Sequence, residues 1–167
     1  LEDVLFFARP LALKIAPLSL TELVDRILAR WEPRLKLANV GTHTNYTNGD
    51  TRVLADERTI EQVLVNLINN SVQAMPEGGT LSVHIAAEGS GGVQLKVADT
   101  GPGIRPDQVE RIFDPFFTTK KSGTGLGLAI TRRIMTAHQG SISVESFPDA
   151  GTVFTLRFPP IPDETTV

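Results

Sequence analysis

Asp99 and the glycines beside it carry the first candidate for chemistry. Asp99 follows the alternating apolar residues Val93, Leu95 and Val97, so its carboxylate should lie where a buried strand meets a turn. Because a buried carboxylate needs a partner, it could accept a hydrogen bond from an adenine amino group. Gly101 and Gly103 permit backbone conformations and close approaches that a Cβ would block. An ordinary Asp-x-Gly turn remains an alternative, since such turns are common.

A second glycine cluster opens a helical pattern about twenty residues later. It reads Gly123-Thr124-Gly125-Leu126-Gly127-Leu128. Backbone amides at a helix N-terminus point towards an anion, so this cluster could hold phosphates. A flexible hinge before a helix is the alternative. A Rossmann fingerprint does not match the Gly-x-Gly-x-Gly spacing, and no Gly-Lys pair occurs for a Walker-type loop.

Polar amides on the predicted central helix form a third candidate. Asn66 and Asn70 are four residues apart and share a helix side, and Gln62 and Asn69 lie near it. An Asn oxygen can ligate Mg²⁺, which takes its remaining ligands from water and phosphate. A polar border of an amphipathic helix is the alternative interpretation.

An aperiodic aromatic stretch lies between the two glycine clusters. Phe113, Phe116 and Phe117 precede Lys120 and Lys121. The aromatic side chains could fasten a lid onto the core while a lysine reaches a phosphate. The alternative is a hydrophobic loop with a solvated lysine pair, and both descriptions could hold together.

Periodicity predicts helices and antiparallel strand pairs in mixed order. Ser19 with Glu22 forms a capping box before one helix, and Asp56 can cap the next. Further helices are predicted at 106–112 and 126–137, strands at 42–46 and 51–54 on either side of the turn pair Asn48-Gly49, and hairpins at 80–87 with 93–99 and at 141–147 with 152–158. This order favours an α+β fold, a two-layer sandwich in which helices cover one face of a mixed sheet.

Composition narrows the class of protein. The 167 residues carry a net charge of −3 and 41% hydrophobic residues, which suits a soluble domain and gives no reason to expect nucleic-acid binding. The absence of cysteine excludes disulfides and thiolate metal sites. No run approaches the roughly 18 apolar residues of a membrane span. We expect a piece of a longer protein, with 1–10 the end of a helical hairpin, 11–18 a linker, 19–159 the main domain and 160–167 a tail.

Five segments, taken in order, resemble the ATP-binding catalytic domain of sensor histidine kinases, within the wider group of gyrase B, Hsp90 and MutL. They are similar to the N box (62–71), the G1 box (99–104), the F box (113–120), the G2 box (123–128) and the closing Gly-Thr strand (151–154). The Asn-Ser-Val-Gln-Ala-Met and Phe-Thr-Thr-Lys runs resemble the nitrogen-regulation-like branch. The resemblance implies the Bergerat-type fold of this group, with ATP held between the helical layer and a lid.

The resemblance also implies residue roles. Asp99 would accept from adenine, with Thr152 supporting it through water. Asn70 would ligate Mg²⁺ with Asn66 nearby, and Lys120 would contact a phosphate. The catalytic residues implied are Asn66, Asn70 and Lys120. The full set expected to contact ATP or ADP is Asn66, Asn70, Asp99, Gly101, Gly103, Ile104, Phe113, Thr119, Lys120, Gly123, Thr124, Gly125, Leu126, Gly127, Leu128 and Thr152.

The same resemblance separates kinase from ATPase. The ATP-hydrolysing relatives carry a glutamate base four residues before the metal-binding Asn, whereas this chain has Asn66, which cannot take a proton. None of His43, His84 and His138 has the acidic and proline neighbours of a phosphoacceptor. We therefore expect a chain that binds Mg-ATP but does not phosphorylate itself. Two alternatives remain: an ATPase of the same group, or a degenerate module that has lost nucleotide and binds proteins.

The resemblance implies partners and a location as well. The γ-phosphoryl would pass to a histidine on a helical hairpin, in cis or in trans, and then to a response regulator. We expect this chain to be a monomer, its parent to be a homodimer, and both to work in the cytoplasm. Whether the parent is anchored in the bacterial inner membrane is left open.

Overall fold

The computed structural model describes residues 10–47, 49–118 and 125–162, which form seven strands and four helices. The strands are β1 (Ala16–Ser19), β2 (Val40–Tyr46), β3 (Arg52–Ala55), β4 (Gly79–Ala87), β5 (Val93–Asp99), β6 (Ser141–Phe147) and β7 (Gly151–Phe158). The helices are α1 (Leu20–Leu37), α2 (Glu57–Gln73), α3 (Pro106–Val109) and α4 (Gly127–Ala137).

A five-stranded mixed sheet in the order β2-β4-β5-β7-β6 forms one layer. Strands β2 and β4 are parallel, and the other neighbours are antiparallel. Helix α2 contacts β4 and β5 and also packs against both α1 and α4. The predicted α+β sandwich, with helices covering one face of a mixed sheet, is confirmed.

The core lies between these layers because strand and helix periodicities place apolar residues on facing sides. On β5, Val93, Leu95 and Val97 are buried while the residues between them are half-buried. On α2 the buried residues recur at helical spacing: Ile60, Val63, Leu64, Leu67, Ile68 and Ser71. The side of α2 that carries Asn66 and Asn70 is half-buried.

Both predicted helix caps are present. The Ser19 hydroxyl accepts a hydrogen bond from the Glu22 amide at 3.4 Å, and Oδ1 of Asp56 accepts one from the Thr59 amide at 2.9 Å. Each side chain satisfies an amide that the helix itself leaves without a partner. The second cap fixes where α2 begins, and so where its asparagines lie.

The strands on either side of Asn48-Gly49 pair with different partners instead of with each other. Strand β2 pairs with β4, and β3 pairs with β1, which forms in the segment predicted as part of a linker. In that small sheet Leu18 lies opposite Val53, and both are buried. Burial of these apolar side chains together outweighs the local turn preference, because strand pairing follows packing more than local propensity.

No helix in the described part of the chain combines the length and the apolar character needed to cross a membrane.

Candidate functional site

Asp99 is the last residue of β5 and lies deep in the molecule. Only 7% of its surface is exposed, and its neighbours in register are Leu81 on β4 and Thr152 on β7. Oδ1 accepts a hydrogen bond from the Gly101 amide at 2.9 Å. The sequence prediction of a buried carboxylate at the end of a strand is therefore confirmed.

The surroundings of Asp99 favour a ligand that donates a hydrogen bond. Burial raises the pKa of this carboxyl above its ordinary value, while hydrogen bonds from the amides of Gly101 and Thr152 pull the pKa part of the way back. Ser71 also favours the charged form, but its buried Oγ has no partner of good hydrogen-bond geometry among the described residues. A desolvated acceptor beside an unsatisfied hydroxyl suits the donor and acceptor edge of a purine.

The glycines after Asp99 are there for steric reasons. A Cβ on Gly101 would lie 2.7 Å from the Ala74 carbonyl oxygen and 3.0 Å from Oδ1 of Asp99. Gly103 has φ of +80°, in the left-handed region that favours glycine. The turn can therefore approach both the carboxylate and the end of α2, and the two glycines permit the close approach that the sequence predicted.

A hydroxyl that sequence reasoning missed supports this turn. Ser146 Oγ accepts a hydrogen bond from the Ile104 amide at 2.6 Å and lies 3.0 Å from Thr152 Oγ1. The Thr152 hydroxyl is thus hydrogen-bonded to Ser146, while the Thr152 amide donates a hydrogen bond to the Asp99 carboxylate. Strand alternation could have found Ser146, because it is in phase with the partly buried Ile142 and Val144.

Asn66 lies at the contact between α2 and α4. Its Nδ2 donates to Thr131 Oγ1 at 3.0 Å, and Thr131 donates to the Gly127 carbonyl at 2.9 Å. A cavity of about 360 Å³ opens here, and its lining comprises Trp31, Arg34, Gln62, Val65, Asn66, Asn69, Gly127, Ile130 and Thr131. From Asn66 to Ala74, beside the Asp99 turn, α2 covers roughly 12 Å at the rise of an α-helix. One helix therefore connects the two candidate centres.

The predicted contact Phe113 packs onto β7, the strand that carries Thr152. The ring of Phe113 packs edge-on against Phe154, with centroids 6.4 Å apart. Phe113 lines a second cavity of about 590 Å³ with Leu11, Pro115 and residues of α4, and no residue lines both cavities. This placement favours the alternative in which the aromatic stretch packs onto the core.

The second glycine cluster is described only from Gly125 onwards. The Gly125 carbonyl accepts a hydrogen bond from the Phe116 amide at 2.9 Å, and Gly127 begins α4 beside Asn66. Leu126 is buried, so its backbone is the part that could meet a ligand, while Leu128 is partly buried and packs against the core. The predicted contacts Thr119, Lys120, Gly123 and Thr124 lie outside the described residues.

The donor set suits a magnesium ion carried by a nucleotide. Within the described ranges no group of three or more His, Cys, Asp or Glu residues could hold a metal ion by itself. Asn66 and Asn70 supply neutral oxygens one helical turn apart on α2. Mg²⁺ accepts such a sparse protein set, because phosphate and water complete its coordination.

Comparison with known proteins places the chain in a family. Residues 55–162 match the family model described as histidine kinase-, DNA gyrase B- and HSP90-like ATPase. Sporulation kinase A of Bacillus subtilis is 38% identical over 160 residues, which are 95% of this chain and 26% of that protein. The matched part of the chain spans 21% to 37% of the length of the curated relatives.

Solved structures that are similar to this chain are also those of histidine kinases. The nucleotide-free catalytic domain of histidine kinase ThkA is similar with a TM-score of 0.80 and 35% identity, over 88% of this chain and 96% of that one. ThkA in complex with the response regulator TrrA is similar with a TM-score of 0.83 and 31% identity, over 98% of this chain and 47% of that one. Full-length ShkA in complex with AMPPNP is similar with a TM-score of 0.85 and 32% identity, over 95% of this chain and 34% of that one. This chain belongs to the histidine kinase-, DNA gyrase B- and HSP90-like ATPase family.

Proposed function

We propose that this chain is the ATP-binding catalytic domain of a sensor protein-histidine kinase, within residues 19–159. It binds Mg-ATP and donates the γ-phosphoryl group to a histidine on another domain. The observation that carries the proposal is the buried Asp99 carboxylate, which burial holds at a raised pKa and which lies beside the unsatisfied hydroxyl of Ser71. Such a carboxylate gains most from a ligand that brings its own N–H donor.

Residues at the end of β5 and along the second half of α2 divide the work. Asp99 accepts from the amino group of the base, and the Gly101 turn lets the backbone approach it closely. Asn66 and Asn70 offer oxygens at the phosphate end, and the first turn of α4 lies beside Asn66. Thr119, Lys120 and the glycines at 123 and 125 complete this end in the proposal. A bound Mg²⁺ would neutralise phosphate charge during transfer, which relies on positioning and electrostatics.

Asn66 supports transfer to a protein rather than to water. Its carboxamide has no basic site, and its nitrogen already donates to Thr131. It therefore cannot remove a proton from an attacking water, as a general base must. The reaction we propose protects ATP from hydrolysis until an acceptor histidine arrives.

The partners follow from relatives and remain proposals for this chain. ThkA has been solved with a response regulator, and ShkA with an ATP analogue. We propose a helical hairpin as the phosphoacceptor, in cis or in trans, a response regulator as the next recipient, and a homodimeric parent that works in the cytoplasm. Neither nucleic acid nor a resident metal other than Mg²⁺ is part of the proposal.

Nucleotide binding by the purified chain tests the base end of the site. Calorimetry should detect ADP and ATP in the presence of Mg²⁺, and Asp99→Asn should weaken both alike. Loss of a hydrogen bond to a charged acceptor, about 1.5–3 kcal/mol, corresponds to roughly ten- to hundredfold weaker binding. Asp107→Asn is the matched control, because Asp107 is exposed and pairs with Arg105.

Three results would contradict the proposal. Absence of heat or of a melting shift at millimolar nucleotide would indicate a degenerate interaction module. Stable labelling of the chain on histidine by radioactive ATP would show that an acceptor is already present. Steady release of phosphate from ATP would instead favour an ATPase of the same family.

A further inference from the structure

Thr131 joins the two helices at the phosphate end of the proposed site. Only 1% of its surface is exposed, although its side chain is polar. Its Oγ1 lies 2.9 Å from the Gly127 carbonyl oxygen and 3.0 Å from Nδ2 of Asn66. A buried hydroxyl with two such partners fixes the positions of both.

Hydrogen-bond accounting determines how the Asn66 amide must face. A carbonyl oxygen can only accept, so the single Thr131 proton goes to Gly127. Thr131 Oγ1 must then accept from Asn66, and only Nδ2 of that side chain can donate. The opposite orientation would set two acceptors against each other. The Asn66 oxygen is therefore turned away from Thr131.

The first residue of α4 shows where that oxygen lies. A Cβ built on Gly127 would come within 2.6 Å of Asn66 Oδ1. The oxygen thus lies against the first turn of α4, directly after the glycine cluster. Trp31, the only tryptophan of the chain, lines the same cavity as Asn66, Gly127 and Thr131.

We propose that Thr131 is a positioning residue that turns the Asn66 oxygen, and not its nitrogen, towards the cation carried by a bound nucleotide. This inference rests on the proposed function, because it concerns the phosphate end of the same site. An oxygen can ligate Mg²⁺ and an amide nitrogen cannot, so the orientation sets how strongly nucleotide binding depends on Mg²⁺. Partners that orient a metal ligand typically change metal affinity ten- to hundredfold when removed.

The test measures how much Mg²⁺ the 167-residue chain needs to bind ATP. At fixed ATP, Mg²⁺ is titrated while Trp31 fluorescence and calorimetry are followed. Thr131→Val keeps the shape but loses the hydroxyl, and it should raise the half-saturating Mg²⁺ concentration about tenfold. Thr131→Ser restores the hydroxyl and should return this concentration to within about twofold of the original value. Gly127→Ala, which pushes on the Asn66 oxygen, should act in the same direction as Thr131→Val.

Controls separate orientation from packing. Thr136→Val alters an exposed threonine of the same helix and should leave the Mg²⁺ requirement unchanged. Binding of adenosine without Mg²⁺ should be the same in the chain and in Thr131→Val. If the unaltered chain and Thr131→Val needed the same Mg²⁺ concentration, the role of Thr131 would be overturned. The same holds if Thr131→Ser did not restore the original Mg²⁺ requirement. Either result would leave the proposed function standing. Failure of the unaltered chain to bind any nucleotide would overturn the proposed function, and this inference with it.

Discussion

Asp99 illustrates how a binding residue can oppose the stability of the fold that holds it. The end of β5 places its carboxylate where only 7% of the residue is exposed. Burial raises the pKa, so in the absence of ligand the folded state disfavours the charge that the site uses. The amides of Gly101 and Thr152 offset only part of this cost. A ligand that supplies a further donor relieves the remainder.

This conflict predicts a pH dependence for Asp99. Its pKa is higher in the folded chain than the unfolded value of about 3.9, so the folded state holds the proton more firmly. The stability that this group contributes is complete below the unfolded pKa and is lost as the pH rises through the folded pKa. Because Asn does not titrate, the Asp99→Asn variant does not lose stability in this way as the pH rises. The melting temperature of the variant relative to the original chain should therefore rise from pH 4 to pH 7.

Thermal unfolding across that pH range measures the difference. The surface substitution Asp107→Asn provides the baseline, because Asp107 is exposed. If the gap between the Asp99 variant and the original chain were constant with pH, the proposed cost of the buried charge would be wrong.

Ser146 supports the same site from a neighbouring hairpin. Ser146→Ala would leave the partly buried Ile104 amide without its acceptor and Thr152 Oγ1 without a partner. We expect a loss of about 1–3 kcal/mol in the free energy of unfolding, together with weaker ADP binding. Chemical denaturation and calorimetry would measure both. Ser141→Ala changes an exposed serine on the same strand, and an equal effect there would contradict the prediction.

Helix α2 is held in place at its start and along its length. Oδ2 of Asp56 accepts a hydrogen bond from the Lys14 amide at 2.7 Å, and the Asp56 amide donates to Nε2 of His138 at 3.0 Å. Nδ1 of His138 lies 2.8 Å from the Ile134 carbonyl, so Nδ1 carries the proton and Nε2 accepts. The end of α4 therefore meets the start of α2, while Asn66 and Thr131 join the two helices further along.

Removal of the Asp56 cap should therefore destabilise the whole domain. Burial alone would raise the pKa of Asp56, but hydrogen bonds from Lys14 and Thr59 outweigh it, and the pKa lies below its ordinary value. Asp56→Ala should cost about 0.5–2 kcal/mol at neutral pH, as losses of helix caps do. A lowered pKa gives stability that is present above the unfolded value and lost as the pH falls through the folded value.

Denaturation at two pH values would examine this cap. The gap between the chain and Asp56→Ala should be full at pH 7 and should narrow below about pH 4. The stability contributed by Asp56 decreases in acid, whereas that contributed by Asp99 decreases as the pH rises. One series of denaturation measurements across pH therefore distinguishes the two carboxylates. A gap that widens in acid would rule out the assigned role of Asp56.

The molecule as a whole is expected to be a monomer. The large apolar residues exposed on its described surface are few: Ile15, Leu37, Phe116, Phe147 and Ile161. A few exposed residues of this kind are normal on a monomeric domain, whereas interfaces need larger contiguous patches. Sedimentation velocity from micromolar to several hundred micromolar should give one species of about 18.1 kDa. A dimer whose share does not change with concentration would contradict this expectation.

Local chemistry in the chain was enough to predict many of its parts. Period-2 and helical patterns, the caps Ser19 and Asp56, and the glycines around Asp99 each act over a few residues. All strands except β1, the main helices, the two-layer class and the buried carboxylate were therefore predictable. The order of the motifs also indicated the family.

Contacts between distant segments lay beyond such patterns. Several contacts join residues far apart in the chain: the pairing of β1 with β3, the Ser146 support of the Ile104 turn, the packing of Phe113 on Phe154 and the hydrogen bond between Asn66 and Thr131. Local periodicity reports which side of an element is apolar, but not which partner covers it. Those partners are chosen by close packing and by the need to satisfy every buried polar group, and both conditions are met only once the layers have come together.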